Sequence, residues 1–315
     1  MREVLSLTVP FFGLIFLGFV AGRIVRRPAE GLEWLNIFIL YLALPALFFQ
    51  LVAETPFEEL SNAGFILAVV SGTLGVFVLS FAVAYVVGAR DVERSTIKGL
   101  IGAYSNNGYL GPGLAISALG TSATVPVALI FAFENTMFFI LTPVLMALGG
   151  AAVGTPLQTA RMILTRIVTH PFILAVAAGT LAAALSWEPP EMLDRLLTML
   201  RGAAAPCALF AMGVTVALQP PPSASAVGDI GVFLSIKLLV HPVVAFLLVS
   251  LVSVDPLWLT TAVLMAALPP ATNVFVLATQ YGRFVEGASN AVLVGTAVSA
   301  ITVTGILYAI SIGIL

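Results

Sequence analysis

The sequence predicts an all-α integral membrane protein of ten transmembrane helices, built as two inverted five-helix repeats with helices 4 and 9 broken and crossing at mid-membrane. Three observations predict it. The chain is 60% hydrophobic and 9% charged, with a mean hydropathy of +1.11, whereas a soluble domain carries about 25% charged residues. Apolar stretches long enough to cross a hydrocarbon core, about 20 residues each, recur from end to end. Two of them are interrupted alike, at Ala103-Tyr104-Ser105-Asn106-Asn107-Gly108-Tyr109-Leu110-Gly111-Pro112-Gly113 and at Ala267-Leu268-Pro269-Pro270-Ala271-Thr272-Asn273-Val274-Phe275.

The spans run at roughly 4–23, 34–52, 63–88, 96–119, 124–148, 167–186, 193–217, 229–252, 256–280 and 286–314. The first apolar run, Val4 to Ala21, reads as a span rather than a signal peptide. Its positive charges, Arg23, Arg26 and Arg27, follow the run, and no small-residue cleavage site precedes a hydrophilic domain. The last span is long enough to tilt or kink. Short connections leave no room for a soluble domain, and the polar stretch from Gly149 to Arg166 joins the halves. Residues 1–150 are thus the first repeat, 151–166 a cytoplasmic connector and 167–315 the second repeat. Trp34, Trp187 and Trp258 fall near span ends, as interfacial anchors do.

Orientation follows from the basic residues. Arg23, Arg26, Arg27, Arg90, Arg94, Lys98, Arg161, Arg166 and Arg283, nine of the thirteen, fall in the loops after spans 1, 3, 5 and 9. Arg2, Arg195 and Arg201 lie on the opposite side, and Lys237 lies inside a span. The bias places those loops in the cytoplasm and both termini on the non-cytoplasmic face of the plasma (inner) membrane. The acidic loop with Glu54, Glu58 and Glu59 then faces outward.

The inverted repeat rests on two landmarks. Leu44-Pro45-Ala46-Leu47-Phe48 in span 2 is echoed by Ala205-Pro206-Cys207-Ala208-Leu209-Phe210 in span 7, an offset of 161 residues from Pro45 to Pro206. Matching Pro112 to Pro270 in the interrupted spans gives 158. An odd number of spans per repeat turns the second half upside down, the plan of many secondary carriers.

Proline removes a backbone donor and glycine loosens a turn, so both interrupted spans break. Non-helical chain at membrane depth persists only where protein buries it or a wet cavity borders it, which makes a matched pair of breaks a pointer to a binding site. Asn106 and Asn107 are candidate substrate contacts or caps, with Thr272 and Asn273 their counterparts. Gly108, Pro112, Pro269 and Pro270 shape the breaks, and Pro45 and Pro206 the facing wall. Half-helices beginning near Gly108–Gly111 and near Ala271 each present roughly +0.5 charge. Together they neutralise about one carboxylate, and no span holds a central arginine.

Glu134 in span 5 and Lys237 in span 8 are the ionisable residues deepest in apolar sequence. A charge at a helix centre costs at least about 2.5–3.5 kcal/mol, so each is expected to have a partner, most simply the other. They read either as a structural ion pair or as a proton- or substrate-linked pair beneath the site. Asn135 and Thr136 extend this patch, and His241, four residues beyond Lys237, shares its helix face. His170 reads as an interfacial helix start.

Several classes drop out. The single cysteine, Cys207, allows neither an intramolecular disulfide nor a thiolate metal cage, and two histidines without acids at ligand spacing make no metal site. No basic cluster marks a nucleic-acid partner. No HExxH, GxSxG or intramembrane aspartate pair marks an enzyme, and no cofactor is expected. The expected partners are a small organic anion and membrane lipid. A proton or sodium as coupling ion, and a homodimer, are left open.

Asn106 followed by Gly111 before a proline resembles the auxin efflux carrier family. So do Ala266-Ala267-Leu268-Pro269 leading to Phe275-Val276-Leu277-Ala278 and Gln280-Tyr281-Gly282, and Ala217-Leu218-Gln219-Pro220 after span 7. His170-Pro171, and Lys237 with His241-Pro242, are similar too. That family includes the plant PIN auxin carriers and bacterial malonate-type permeases. The resemblance spans the chain and implies a secondary transporter of an auxin-like or malonate-like carboxylate. It further implies a scaffold of spans 1, 2, 6 and 7, against which spans 3–5 and 8–10 slide in elevator-type alternating access. The broken-helix plan is also that of NhaA-type antiporters and of bile-acid sodium symporters, so a sodium-coupled organic-anion symporter is the alternative, with a non-transporting anion sensor or channel behind it. The sequence departs from the family pattern in three places. Pro112 follows Gly111 directly rather than two residues on, Val274 replaces the usual second proline of span 9, and Asn273 stands where a less polar residue is usual.

Overall fold

The computed structural model describes residues 2–26, 29–55, 62–88, 90–151, 155–218, 224–252 and 254–314. Arg27, Glu58, Glu59, Gln219 and Pro220 lie outside the described residues. Among the described residues every regular element is helical. The helices are α1 (Arg2–Val25), α2 (Glu33–Ala53), α3 (Ala63–Val87), α4 (Val92–Ala103), α5 (Gly111–Leu119), α6 (Thr124–Met146) and α7 (Pro156–Val168). They continue with α8 (Pro171–Ala184), α9 (Glu191–Leu218), α10 (Ala224–Ser235, extended by a π turn Ile236–Val240 into His241–Val249), α11 (Pro256–Ala266), α12 (Thr272–Tyr281) and α13 (Val285–Ser311). Among the described residues six helical segments are long and apolar enough to cross a membrane: Glu33–Ala53, Ala63–Val87, Thr121–Gly150, Glu191–Leu218, Gly228–Val249 and Val285–Ser311.

Proline explains two irregularities. The π turn at Ile39–Ala43 in α2 ends just before Pro45, and that at Ile236–Val240 in α10 just before Pro242. A proline ring clashes with the carbonyl four residues back and offers that carbonyl no donor; widening the preceding turn relieves the clash and re-pairs the carbonyls. The connector differs from its reading as a mere joint, because α7 occupies most of it. Thr155 and Gln158 form a reciprocal cap, Thr155 N donating to Gln158 Oε1 (2.7 Å) and Gln158 N to Thr155 Oγ1 (3.3 Å), with Pro156 opening the helix. The sixth apolar stretch is interrupted at Thr169 and His170, between the end of α7 and the start of α8 at Pro171, with His170 as the extended N-cap of α8.

The chain divides into two units by packing. Unit 1 comprises Met1–Ala63, Asn107–Ala132 and Val168–Pro220, and unit 2 comprises Gly64–Asn106, Phe133–Ile167 and Pro221–Leu315. Within unit 1, α1 and α9 approach backbone to backbone. A Cβ on Gly18 would lie 2.2 Å from the Phe210 carbonyl oxygen, and one on Gly213 2.0 Å from that of Ile15. Small residues permit such approach where lipid offers no hydrophobic drive for helix association. Its core gathers Leu44, Phe48, Leu51, Phe131, Phe172 and Ala208, with the Phe48 and Phe131 rings stacked at 4.6 Å. Within unit 2 the core gathers Phe77, Ile97, Leu100, Tyr104, Phe138 and Val274. Trp258, read as an interfacial anchor, is buried here edge-on to Phe65.

Candidate functional site

The stretches 104–110 and 267–271 are non-helical, and in unit 2 they meet. Asn106 N donates to the Pro269 carbonyl (2.9 Å), Ala271 N donates to the Tyr104 carbonyl (2.9 Å), and Ser105 faces Pro270 in an antiparallel bridge. Each stretch supplies one donor and one acceptor, so each satisfies backbone groups that the other exposes. Gly295 seats α13 on this junction, because a Cβ there would lie 2.7 Å from Pro270 Cδ. From the junction α12 starts at Thr272 after the extended Ala271, whose carbonyl accepts from Val274 N (3.0 Å), and the helix N-terminus opens at Thr272 and Asn273.

A neutral network braces the junction. Asn273 Nδ2 donates to the Tyr104 hydroxyl (3.1 Å), which itself donates to Asn135 Oδ1 on α6. The Tyr104 ring stacks on Phe138 at 4.6 Å. Asn273 thus carries a bond to protein, and Asn135 belongs to this network rather than extending the patch around Glu134.

A second, ionisable network starts one residue earlier on α6. The Thr73 hydroxyl donates to Glu134 Oε1 (2.5 Å), Thr73 Oγ1 lies 3.1 Å from His241 Nε2, and His241 Nδ1 lies 3.1 Å from Lys237 Nζ. Lys237 Nζ also donates to the Ala266 carbonyl (2.5 Å) at the end of α11, where a helix dipole favours a cation. Glu134 and Lys237, expected to face each other, are joined through Thr73 and His241. All four side chains are at least 97% buried.

The division between the units falls between Asn106 and Asn107, each 1% exposed. In unit 1 a Cβ on Gly108 would meet the Phe131 ring at 3.2 Å, and α5 opens with Gly111 and the buried Pro112. A Cβ on Gly113 would lie 2.8 Å from that of Ala205, which brings the residues after Pro112 beside the one before Pro206. Pro45 is half-buried and Pro206 exposed. A cavity of about 720 Å³ in unit 1 is lined by Glu54, Glu188, Glu191, Asp194, Phe49 and Trp187 among others. Two of its carboxylates are paired, Glu54 with Arg201 and Glu191 with Arg195. Among the described residues no group of three or more His, Cys, Asp or Glu side chains is placed to hold a metal.

Comparison with known proteins shows the family. The model of the family described as "Membrane transport protein" matches residues 4–307. The chain belongs to the auxin efflux carrier family. A relative in Rhizobium meliloti (strain 1021), named "Putative malonate transporter", is 52% identical over 316 residues, covering 100% of this chain and 98% of that protein. Auxin efflux carrier component 8 of Arabidopsis thaliana is 22% identical, with 93% of each chain covered. An "Uncharacterized transporter" of Methanothermobacter thermautotrophicus is 24% identical, covering 96% of this chain and 95% of that one. This auxin efflux carrier family member is a multi-pass membrane transporter.

Proposed function

We propose that this auxin efflux carrier family member is a secondary carrier of a small organic anion of the malonate type, working by elevator-type alternating access. The observation that carries the reading is the junction, where two interrupted apolar helices satisfy each other's backbone and a helix N-terminus opens. The anion is assigned to Asn106, Thr272 and Asn273 of unit 2 and to Asn107, the next residue along the chain. Amides and helix N-termini hold a carboxylate less tightly than a buried guanidinium does, which suits a carrier that must also release it. Ten crossings in two inverted repeats, with both termini non-cytoplasmic, complete the proposal. Unit 2, which holds the buried ionisable side chains, is assigned the moving role.

Counterflow of labelled malonate in sealed proteoliposomes tests the function. A carrier gives saturable exchange accelerated by unlabelled malonate on the far side. Flux that grows without saturation and carries current would make it a pore instead. Cysteines introduced at Arg26 and Arg161 should resist an impermeant label applied to intact cells, and labelling of both would reverse the topology.

A further inference from the structure

The hydrogen-bond directions in the ionisable network are mutually determined. If the Lys237 ammonium donates to His241 Nδ1, a neutral imidazole must carry its proton on Nε2. That proton is donated to Thr73 Oγ1, which leaves the Thr73 proton for Glu134 Oε1. Each link then has one donor and one acceptor, and the chain runs unbroken from ammonium to carboxylate. We propose that Lys237, His241, Thr73 and Glu134 form a proton wire that binds one transferable proton and couples its movement to carriage of the anion. The inference rests on the carrier reading above.

The transfer balances. Lys237 Nζ gives a proton to His241 Nδ1, His241 Nε2 gives one to Thr73 Oγ1, and Thr73 passes its own to Glu134. Ammonium and carboxylate become amine and carboxylic acid, while the imidazole changes tautomer and the hydroxyl is regenerated. One proton from solvent then restores the ammonium. The cluster moves from net neutral to net +1, which offsets one negative charge on the anion during passage through a medium where uncompensated charge is costly. Lys237 also donates to the Ala266 carbonyl, so in the interval when it is an amine its contact to the last turn before the junction is weakened, which links the transfer step to the anion site.

Other titratable groups on the surrounding helices are occupied or stand at helix ends. On α4, Arg94 pairs with Asp229 of α10 (3.3 Å), Glu93 pairs with Arg283, and Lys98 lies over the Phe233 and Phe284 rings. Asp255 caps the start of α11 through Leu257 N, at the opposite end from Ala266. Tyr104 bonds to Asn135. Tyr85 lies near the end of α3, Tyr281 ends α12, Glu286 is in the first turn of α13 and Tyr308 in its last.

The test is steady-state malonate accumulation in proteoliposomes at clamped zero membrane potential, with about pH 7 outside and pH 8 inside. One coupled proton drives accumulation to about tenfold per pH unit. Wild type should approach that level, and Glu134→Gln and Thr73→Val should fall toward onefold. Steady-state accumulation does not depend on turnover rate, so slower carriage alone leaves it unchanged. If Glu134→Gln does not fold, Thr73→Val decides, since it removes only the link. Wild-type exchange with onefold accumulation overturns the wire and leaves the carrier standing. Absence of exchange in wild type overturns both. Tenfold accumulation retained by Thr73→Val overturns the wire.

Discussion

The two units bury different chemistry. Among the described residues the buried ionisable side chains Glu93, Lys98, Glu134, Lys237 and His241 all belong to unit 2, together with Asn106, Asn135 and Asn290. Unit 1 buries Gln50, Thr55, Asn107 and Thr124, all neutral. It is held by shape instead, with glycines on α1 and α9 letting backbones touch and Gly179 of α8 set 2.8 Å, measured from an added Cβ, from the Phe49 carbonyl of α2. Buried charge in an intramembrane setting is retained at a cost and marks function. The difference separates a unit selected for packing from one that carries the chemistry.

The largest effect expected from breaking this contrast is in unit 2. Lys237→Met leaves Glu134 buried without its compensating charge, a loss of about 3–5 kcal/mol. Thermal unfolding in detergent should show it, and adding Glu134→Gln should recover most of the loss. If the double variant is stable and still accumulates malonate when driven by a pH gradient, the pair is structural only. Next comes unit 1. Gly213→Ala forces α1 away from α9, and overpacking of this kind costs about 1–3 kcal/mol. Stability should fall while malonate affinity, measured on folded protein, stays put; a parallel loss of affinity would blur the distinction between the units. The smallest effect is on the neutral network. Tyr104→Phe removes the hydroxyl shared by Asn135 and Asn273, worth about 0.5–1.5 kcal/mol. Calorimetric affinity should drop by no more than about tenfold, with the pH-gradient response kept.

Much of this was readable from residues alone. Prolines, glycines and asparagines marked the stretches that are non-helical, because those residue types withhold or redirect backbone hydrogen bonds. Glu134 and Lys237 stood out as charges in apolar sequence, and His241 by its helical spacing from Lys237. Thr73 and Tyr104 did not. Thr73 looks ordinary in an apolar run and Tyr104 carries no signal of its own beside the asparagines that follow it, and their bonds reach across 61, 168 and 169 residues, which no local pattern encodes. Asn135 was grouped with Glu134, yet neighbours on a helix point about 100° apart and here serve separate networks. The α7 helix had a legible signal in Thr155-Pro156-Leu157-Gln158, masked by the polarity of the stretch around it.

The central claim is that an anion binds at the junction, and calorimetric titration of malonate into wild type, Asn106→Ala and Asn107→Ala tests it most directly. Loss of one charge-assisted hydrogen bond, about 1.5–3 kcal/mol, predicts affinity weakened by roughly tenfold or more in at least one variant at unchanged thermal stability. Wild-type affinity in both would mean that these amides only brace the interrupted helices and that the anion binds elsewhere.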